Sequence, residues 1–213
     1  MCDFEKAIIN ALMKHQRLVD IIIQGCYIHL TSNLWKHVQQ SGLVEIFNES
    51  KEFRKSFKFM KALAFLPPKH VIFAFNEIKL VSHEAFQPIL DYFEKYYIGE
   101  PISQNSRSRR APLFSIYLWN VHKRVVEKNP VEVWHKVFQL NCQKHSTINK
   151  LVEQFRLEQN NTDILIDQIN AGDVHTRKKS ELLKDEAIKQ VLADHKNKKN
   201  SVLSTIEKLI QII

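Results

Sequence analysis

The sequence predicts a mainly α-helical protein with one short strand. Apolar residues recur at helical spacing through most of the chain. Only 4 of the 213 residues are glycine, which is too few for a hairpin-rich fold. A single β-branched run, residues 20–25, has the composition of a buried parallel strand. With 44% apolar and 25% charged residues, the composition is that of a globular protein and excludes wholesale disorder.

The N-terminal part is predicted to form two helices on either side of this strand. Asp3 can cap a helix over residues 4–15, whose apolar positions share one face. After the strand, Thr31 is predicted to cap a helix that runs to Gln40, and Gly42 is predicted to end it.

The middle of the chain is predicted to be a helical block followed by a basic loop. Residues 43–97 contain most of the 13 phenylalanines at helical spacing, and Pro67 and Pro68 divide the block. Residues 98–112 combine glycine, proline, serine and asparagine with three arginines, a composition that is typical of a loop.

Further helices are predicted in the C-terminal part. One covers about 117–127, one begins at Val131, and one follows a Ser146 cap through Phe155. A lysine-rich surface helix is expected within 172–200, and an amphipathic helix over 202–213.

The net charge and the cysteines limit the partners and the cellular compartments that are compatible with the sequence. A net charge of +8 favours a polyanionic partner such as nucleic acid. The three cysteines (Cys2, Cys26 and Cys142) are odd in number and widely spaced, which indicates a reduced intracellular protein. No signal peptide or membrane-length apolar run is visible, so we expect a nuclear or cytosolic protein.

Two carboxylates in separated segments are candidate metal ligands. Asp3 and Glu132 each stand at the start of a predicted helix, and carboxylates from separate elements are what a two-Mg²⁺ phosphoryl-transfer site requires. The alternatives remain open. Asp3 can be an ordinary N-cap contributing about 1 kcal/mol, and Glu132 can simply be favoured by the helix dipole.

Cys26 and His29 supply two candidate zinc ligands, whereas a structural site needs four. His122, His135, Cys142 or His145 would have to complete it, and their spacing does not require this. We therefore expect a buried thiol and a hydrogen-bonded imidazole there, and no zinc.

Three arginines of the predicted loop are candidate phosphate contacts: Arg107, Arg109 and Arg110. The alternative is a solvated loop without a partner.

Several segments resemble the transposase domain of Mutator-like elements. They are CDFEKAIINAL, GCYIHLTSNLWKHVQQSGLVEIF, KALAFLPPKHV, PILDYFEKYYIG, LWNVHKRV and VEVWHKVF. Their order and spacing match over roughly residues 2–160. The resemblance implies a partial transposase domain over residues 1–160, with a helical insertion at about 43–128. Residues 161–213 would be a helical, lysine-rich extension.

The resemblance implies a remnant of an RNase H-like α/β core with a triad of acidic residues. Asp3 stands at the family's second catalytic aspartate and Glu132 at its closing glutamate, while Cys26 and His29 match its C-x-x-H signature. In intact relatives the triad holds two Mg²⁺ or Mn²⁺ ions that activate the nucleophile and stabilise the leaving oxygen during DNA strand cleavage and transfer.

Two departures from the family shape the functional expectation. The family's first aspartate would lie upstream of Met1. The Arg-Thr-Asn-Asn stretch that the family has between a proline and the final glutamate is deleted, because Pro130 is followed directly by Val131 and Glu132. We expect a transposase fragment that is inactive alone and binds neither Mg²⁺ nor Mn²⁺ tightly. The alternatives are a DNA- or transposase-binding helical module without catalysis, or a product with no retained role. Expected partners are transposon-end DNA, a full-length transposase, or a second copy joined at the open edge of strand 20–25.

Overall fold

The computed structural model describes residues 4–14, 22–103, 108–122, 138, 147–172 and 178–213. Over these residues the chain is mostly helical, which confirms the predicted fold class at that level. The helices, numbered in chain order, are α1 Lys6–Lys14, α2 Tyr27–Gln40, α3 Val44–Glu49, α4 Lys51–Ala62, α5 Pro68–Val81, α6 Gln87–Phe93, α7 Ile116–Trp119, α8 Ile148–Asn170, α9 Lys179–Lys196 and α10 Val202–Ile212. Two 3₁₀ turns, Leu63–Phe65 and Glu84–Phe86, and a π-helical turn, Glu94–Ile98, extend this set.

Hydroxyl side chains fix the start of three helices by accepting an otherwise unsatisfied backbone N–H. Ser50 accepts from the N–H of Phe53 at 3.1 Å to begin α4. Thr147 caps α8 and Ser201 caps α10 in the same way. The expected cap of α8, Ser146, is therefore displaced by one residue, and Ser146 itself lies outside the described residues.

Helix α2 begins earlier than predicted. Its first residue is Tyr27, so Thr31 is inside the helix, where its hydroxyl donates to the carbonyl of Ile28 at 2.9 Å. The predicted end is confirmed. Gly42 adopts φ 68°, its N–H donates to the carbonyl of Gln39, and the N–H of Leu43 reaches the carbonyl of Val38 at 3.0 Å.

The described part of the predicted strand, residues 22–25, forms no strand in a sheet. Within it, the N–H of Gly25 donates to the carbonyl of Leu118 at 2.7 Å. The Ile22 side chain is 80% exposed. A β-branched run needs a neighbouring strand to complete its hydrogen bonds, and no sheet forms among the described residues. Self-association through residues 20–25 stays a prediction, and residues 20–21 lie outside the described part of the chain.

The chain divides into two compact units, Met1–Val126 with Lys184–Ile213, and Glu127–Leu183. The boundary predicted near residue 160 falls inside α8, and the predicted domains stay a prediction. In the first unit α2 packs on α6, and α4 packs on α5. Helix α10 packs on both α4 and α5 and buries Ile206, Leu209 and Ile210.

The second unit contains α8, a 23-residue helix of which no residue is buried. Phe155 on this helix packs against Phe138, with ring centroids 4.9 Å apart. Across the described residues, no helix is both long and apolar enough to cross a membrane.

Candidate functional site

Three of the segments singled out in the sequence meet in the first unit. The LWNVH segment reaches the GCYIH segment through the Gly25–Leu118 hydrogen bond. It reaches the LAFLPP segment through a bond from the N–H of Val121 to the carbonyl of Ala64 at 2.7 Å, and through the Asn120 amide, which donates to the carbonyl of Leu66 at 2.7 Å. Segments far apart in the chain are therefore hydrogen-bonded neighbours.

A fourth matching segment, PILDYFEKYYIG, joins them through buried aromatic rings. The Trp119 indole N–H donates to the carbonyl of Tyr97 at 3.1 Å, and the Phe93 and Trp119 rings meet edge to face at 5.3 Å. The Tyr27 and Phe65 rings pack in the same way at 5.2 Å. Such contacts add about 1 kcal/mol each to the burial of the rings, so this junction is part of the core.

Cys26 and His29 lie at the start of α2. Cys26 is buried and occupies the N-cap position, and His29 is half-buried on the first turn. His122 points its Nδ1 at the carbonyl of Phe65, 2.9 Å away, so this nitrogen carries its proton and donates. No group of three or more histidine, cysteine or acidic side chains placed to hold a metal ion occurs in the described part of the chain. His135, Cys142 and His145 fall outside that part.

The two predicted catalytic carboxylates, Asp3 and Glu132, also lie outside the described residues. Their convergence on a common cleft remains a prediction. Arg107 is likewise outside them, so two of the three loop arginines, Arg109 and Arg110, can be placed.

Arg109 is a structural residue of its loop. Its guanidinium donates to the Glu94 carboxylate at 2.7 Å, to the carbonyl of Gly99 at 2.6 Å and to the Asn76 side chain at 3.1 Å. Only 14% of the Arg109 side chain and 10% of the Glu94 side chain are exposed. A charge held in this way is not offered to a phosphate.

The Glu94 carboxylate also accepts from Lys79 at 2.8 Å. Burial raises the pKa of Glu94, but the hydrogen bonds and positive charges of Lys79 and Arg109 outweigh that effect, so its pKa lies below the usual value. The carboxylate therefore stays ionised at neutral pH and holds the loop against α5.

Arg110 is the exposed arginine of the described part of the loop. Its N–H donates to the carbonyl of Glu100 at 2.8 Å, and the N–H of Ile102 bonds to the carbonyl of Ser108 at 3.0 Å. These bonds bring the two ends of the loop together. The Arg110 side chain is thus carried into solvent on a braced backbone, as a phosphate contact requires.

A tyrosine-lined groove of about 350 Å³ was not predicted from the sequence. Tyr92, Tyr96 and Tyr97 line it together with Lys36 and His37. The His37 ring stacks on Tyr92 at 4.1 Å. The groove also includes Leu113 and Phe114, which follow the arginine loop. The signal in the sequence is three tyrosines within six residues, inside the segment predicted as a helical block.

A histidine pair is a second unpredicted feature. His70 Nδ1 lies 2.8 Å from His195 Nε2, and His195 Nδ1 lies 3.1 Å from the Thr205 hydroxyl. That hydroxyl donates to the carbonyl of Ser201, so it accepts from His195, and His195 in turn accepts from His70. Burial lowers the pKa of both imidazoles, and nearby positive charge lowers them further. Residues 125 positions apart cannot be paired from local pattern.

Comparison with protein-family models, with curated proteins and with solved structures finds no match for this chain.

Proposed function

We propose that this chain derives from a Mutator-like transposase and that its first unit contacts DNA without itself cutting it. The observation that supports the ancestry is the meeting of four resembling segments in one hydrogen-bonded and aromatic junction. Segments of one inherited domain are expected to pack together, and these four do so. We place this protein in the nucleus, where its DNA partner would be.

The braced loop and the tyrosine-lined groove support DNA as the ligand. Arg110 offers an exposed charge to a phosphate. Lys36 at the groove adds a second positive charge, and the half-buried rings of Tyr92 and Tyr96 offer aromatic surface on which a base can stack. The net charge of +8 strengthens the attraction of the whole molecule to a polyanion.

The DNA proposal is tested by fluorescence anisotropy with a labelled duplex over a series of salt concentrations. Each phosphate contact contributes about 0.9 to the slope of log K against log salt. We expect Arg110→Ala to lower the slope by about 1, and Arg107→Ala with Arg110→Ala to lower it by about 2. A wild-type protein whose binding does not respond to salt would contradict the proposal.

Two control variants distinguish a specific loss of DNA binding from the loss of any one positive charge and from a loss of folding stability. Lys51→Ala removes one positive charge from an exposed position on α4 and is expected to leave most of the affinity. Arg109→Ala leaves Glu94 without its guanidinium partner, so we expect a loss of about 2–4 kcal/mol of stability, measured by urea denaturation. If Arg109→Ala instead matched Arg110→Ala in affinity at unchanged stability, the structural role of Arg109 would be wrong.

Catalysis is tested separately, with transposon-end DNA and Mg²⁺ or Mn²⁺. We expect no nicking by the purified chain. Metal-dependent nicking that disappears in Glu132→Gln would show that the chain is an active nuclease, and would leave the transposase ancestry intact.

A further inference from the structure

Helix α8 carries an apolar stripe that stays partly exposed in the described part of the chain. The stripe consists of residues at spacings of three and four, and each is at least 37% exposed: Ile148, Leu151, Val152, Phe155, Leu165, Ile166 and Ile169. Such spacing places these side chains on one face of a helix. An exposed apolar surface of this length favours association.

The stripe is arranged symmetrically about the middle of the helix. Counting inwards from Ile148, apolar residues follow at steps of three, one and three, ending at Phe155. Counting inwards from Ile169, the same steps end at Thr162. Two copies of α8 lying antiparallel and centred between positions 158 and 159 would therefore place Ile148, Leu151 and Val152 of one helix opposite Ile169, Ile166 and Leu165 of the other, and Phe155 opposite Thr162.

The charges of α8 favour the same orientation. Residues 148–157 carry two positive side chains and one negative, whereas residues 158–169 carry three negative and no positive. A parallel pair would align like charges, and an antiparallel pair aligns opposite ones. Arg156 and Asp163 are seven residues apart and exposed on the same flank of the stripe. In the antiparallel pair each faces the other on the second copy, so this ion pair occurs twice.

We propose that α8 pairs with α8 of a second copy of this chain as an antiparallel two-helix interface. At 1.5 Å per residue, its 23 residues give a contact of about 34 Å. Phe155 also packs on Phe138 in its own unit but keeps 50% of its surface exposed, so it can take part. This interface is independent of the proposed DNA contact.

Sedimentation equilibrium of the full chain tests the interface, with two lysine substitutions as a matched pair. Ile166 and Ile164 are 49% and 48% exposed, but Ile166 lies in the stripe and Ile164 on the opposite face. We expect wild type to dimerise, Ile166→Lys to raise the dissociation constant at least about tenfold, and Ile164→Lys to change it little. Circular dichroism should show the same helix content in all three proteins.

A charge exchange tests the orientation. Arg156→Asp and Asp163→Arg should each weaken the dimer, and the two together should restore it, because the ion pair re-forms with reversed signs. A chain that stays monomeric at its highest attainable concentration would overturn the proposal, whether or not it binds lipid vesicles or another protein. Equal effects of Ile164→Lys and Ile166→Lys would also overturn it, and failure of the exchange to restore the dimer would exclude the antiparallel orientation.

Discussion

At the scale of single residues, the His70–His195–Thr205 chain of hydrogen bonds has one consistent set of protons. His195 must accept at Nε2, because its Nδ1 proton is directed at Thr205. Protonating Nε2 would require His70 to give up its Nδ1 proton and accept there instead, because two donors would otherwise face each other over 2.8 Å. Lys69 and His122 add further positive charge nearby, so the neutral form of the pair is favoured in the folded state.

This arrangement predicts acid-dependent loss of stability. The pKa of each imidazole is lower in the folded than in the unfolded chain, so between the two values the unfolded chain binds more protons. Stability should therefore fall as the pH drops below about 6.5, by up to about 1.4 kcal/mol per pH unit for each histidine. Urea denaturation from about pH 7.5 to 5 measures this slope, and His195→Gln should flatten it. A slope unchanged by the substitution would contradict the assignment.

The predictions for single residues differ most from the structure where a side chain contacts a residue that is distant in the sequence. The three loop arginines are alike in the sequence, since nothing local distinguishes Arg109 from Arg110. The distinction comes from Glu94 and Asn76, which lie 15 and 33 positions from Arg109. Burial of a charge depends on such non-local partners, and a residue-type pattern carries no information about them.

At the scale of elements, two glycines show how backbone geometry controls the path of the chain. Gly42 ends α2 with φ 68°, and Gly99 ends the π-helical turn with φ 93°. Open space surrounds the position of a Cβ at Gly42, whereas a Cβ at Gly99 would overlap the carbonyl of Arg110. The same substitution should therefore have unequal effects at the two sites.

We expect Gly42→Ala to cost about 1–2 kcal/mol, the price of a left-handed conformation for a residue with a Cβ. Gly99→Ala should cost more, because the Arg110 backbone must also move and the bonds that brace the loop are disturbed. Thermal or urea denaturation of both variants measures the difference. Equal losses at the two positions would show that the close approach at Gly99 does not constrain the loop.

The helices were largely predictable because each buries a periodic apolar face. Residues such as Phe53, Met60 and Leu63 follow that period and are fully buried. Residues 22–25 were not predictable in this way, because strand formation depends on a pairing partner rather than on composition. Of the site, the sequence indicated Cys26, His29 and the basic loop, but neither the tyrosine-lined groove nor the histidine pair.

At the scale of the whole molecule, α10 completes the core of the first unit. Ile206 and Leu209 are fully buried on this helix, which packs on α4 and α5. Lys55 on α4 also forms an ion pair with Glu207 at 2.8 Å. The exposed ion pair contributes little, so the apolar contacts carry the attachment.

We therefore predict that Leu209→Ala destabilises the first unit by about 2–5 kcal/mol, the usual cost of a cavity in a packed core. Leu80→Ala is the matched control, because Leu80 is 80% exposed, and it should change stability by less than about 0.5 kcal/mol. The urea midpoint of each variant measures this. A similar midpoint for both would show that α10 is not part of the core.

The return of α10 to α4 also sets an order of events during synthesis. Lys55 and Glu207 are separated by 152 residues, so α4 leaves the ribosome long before its partner exists. At about 5–20 residues per second, the apolar face awaiting α10 stays open on the order of ten seconds. During that interval the nascent chain exposes an apolar surface, which we expect chaperones to recognise.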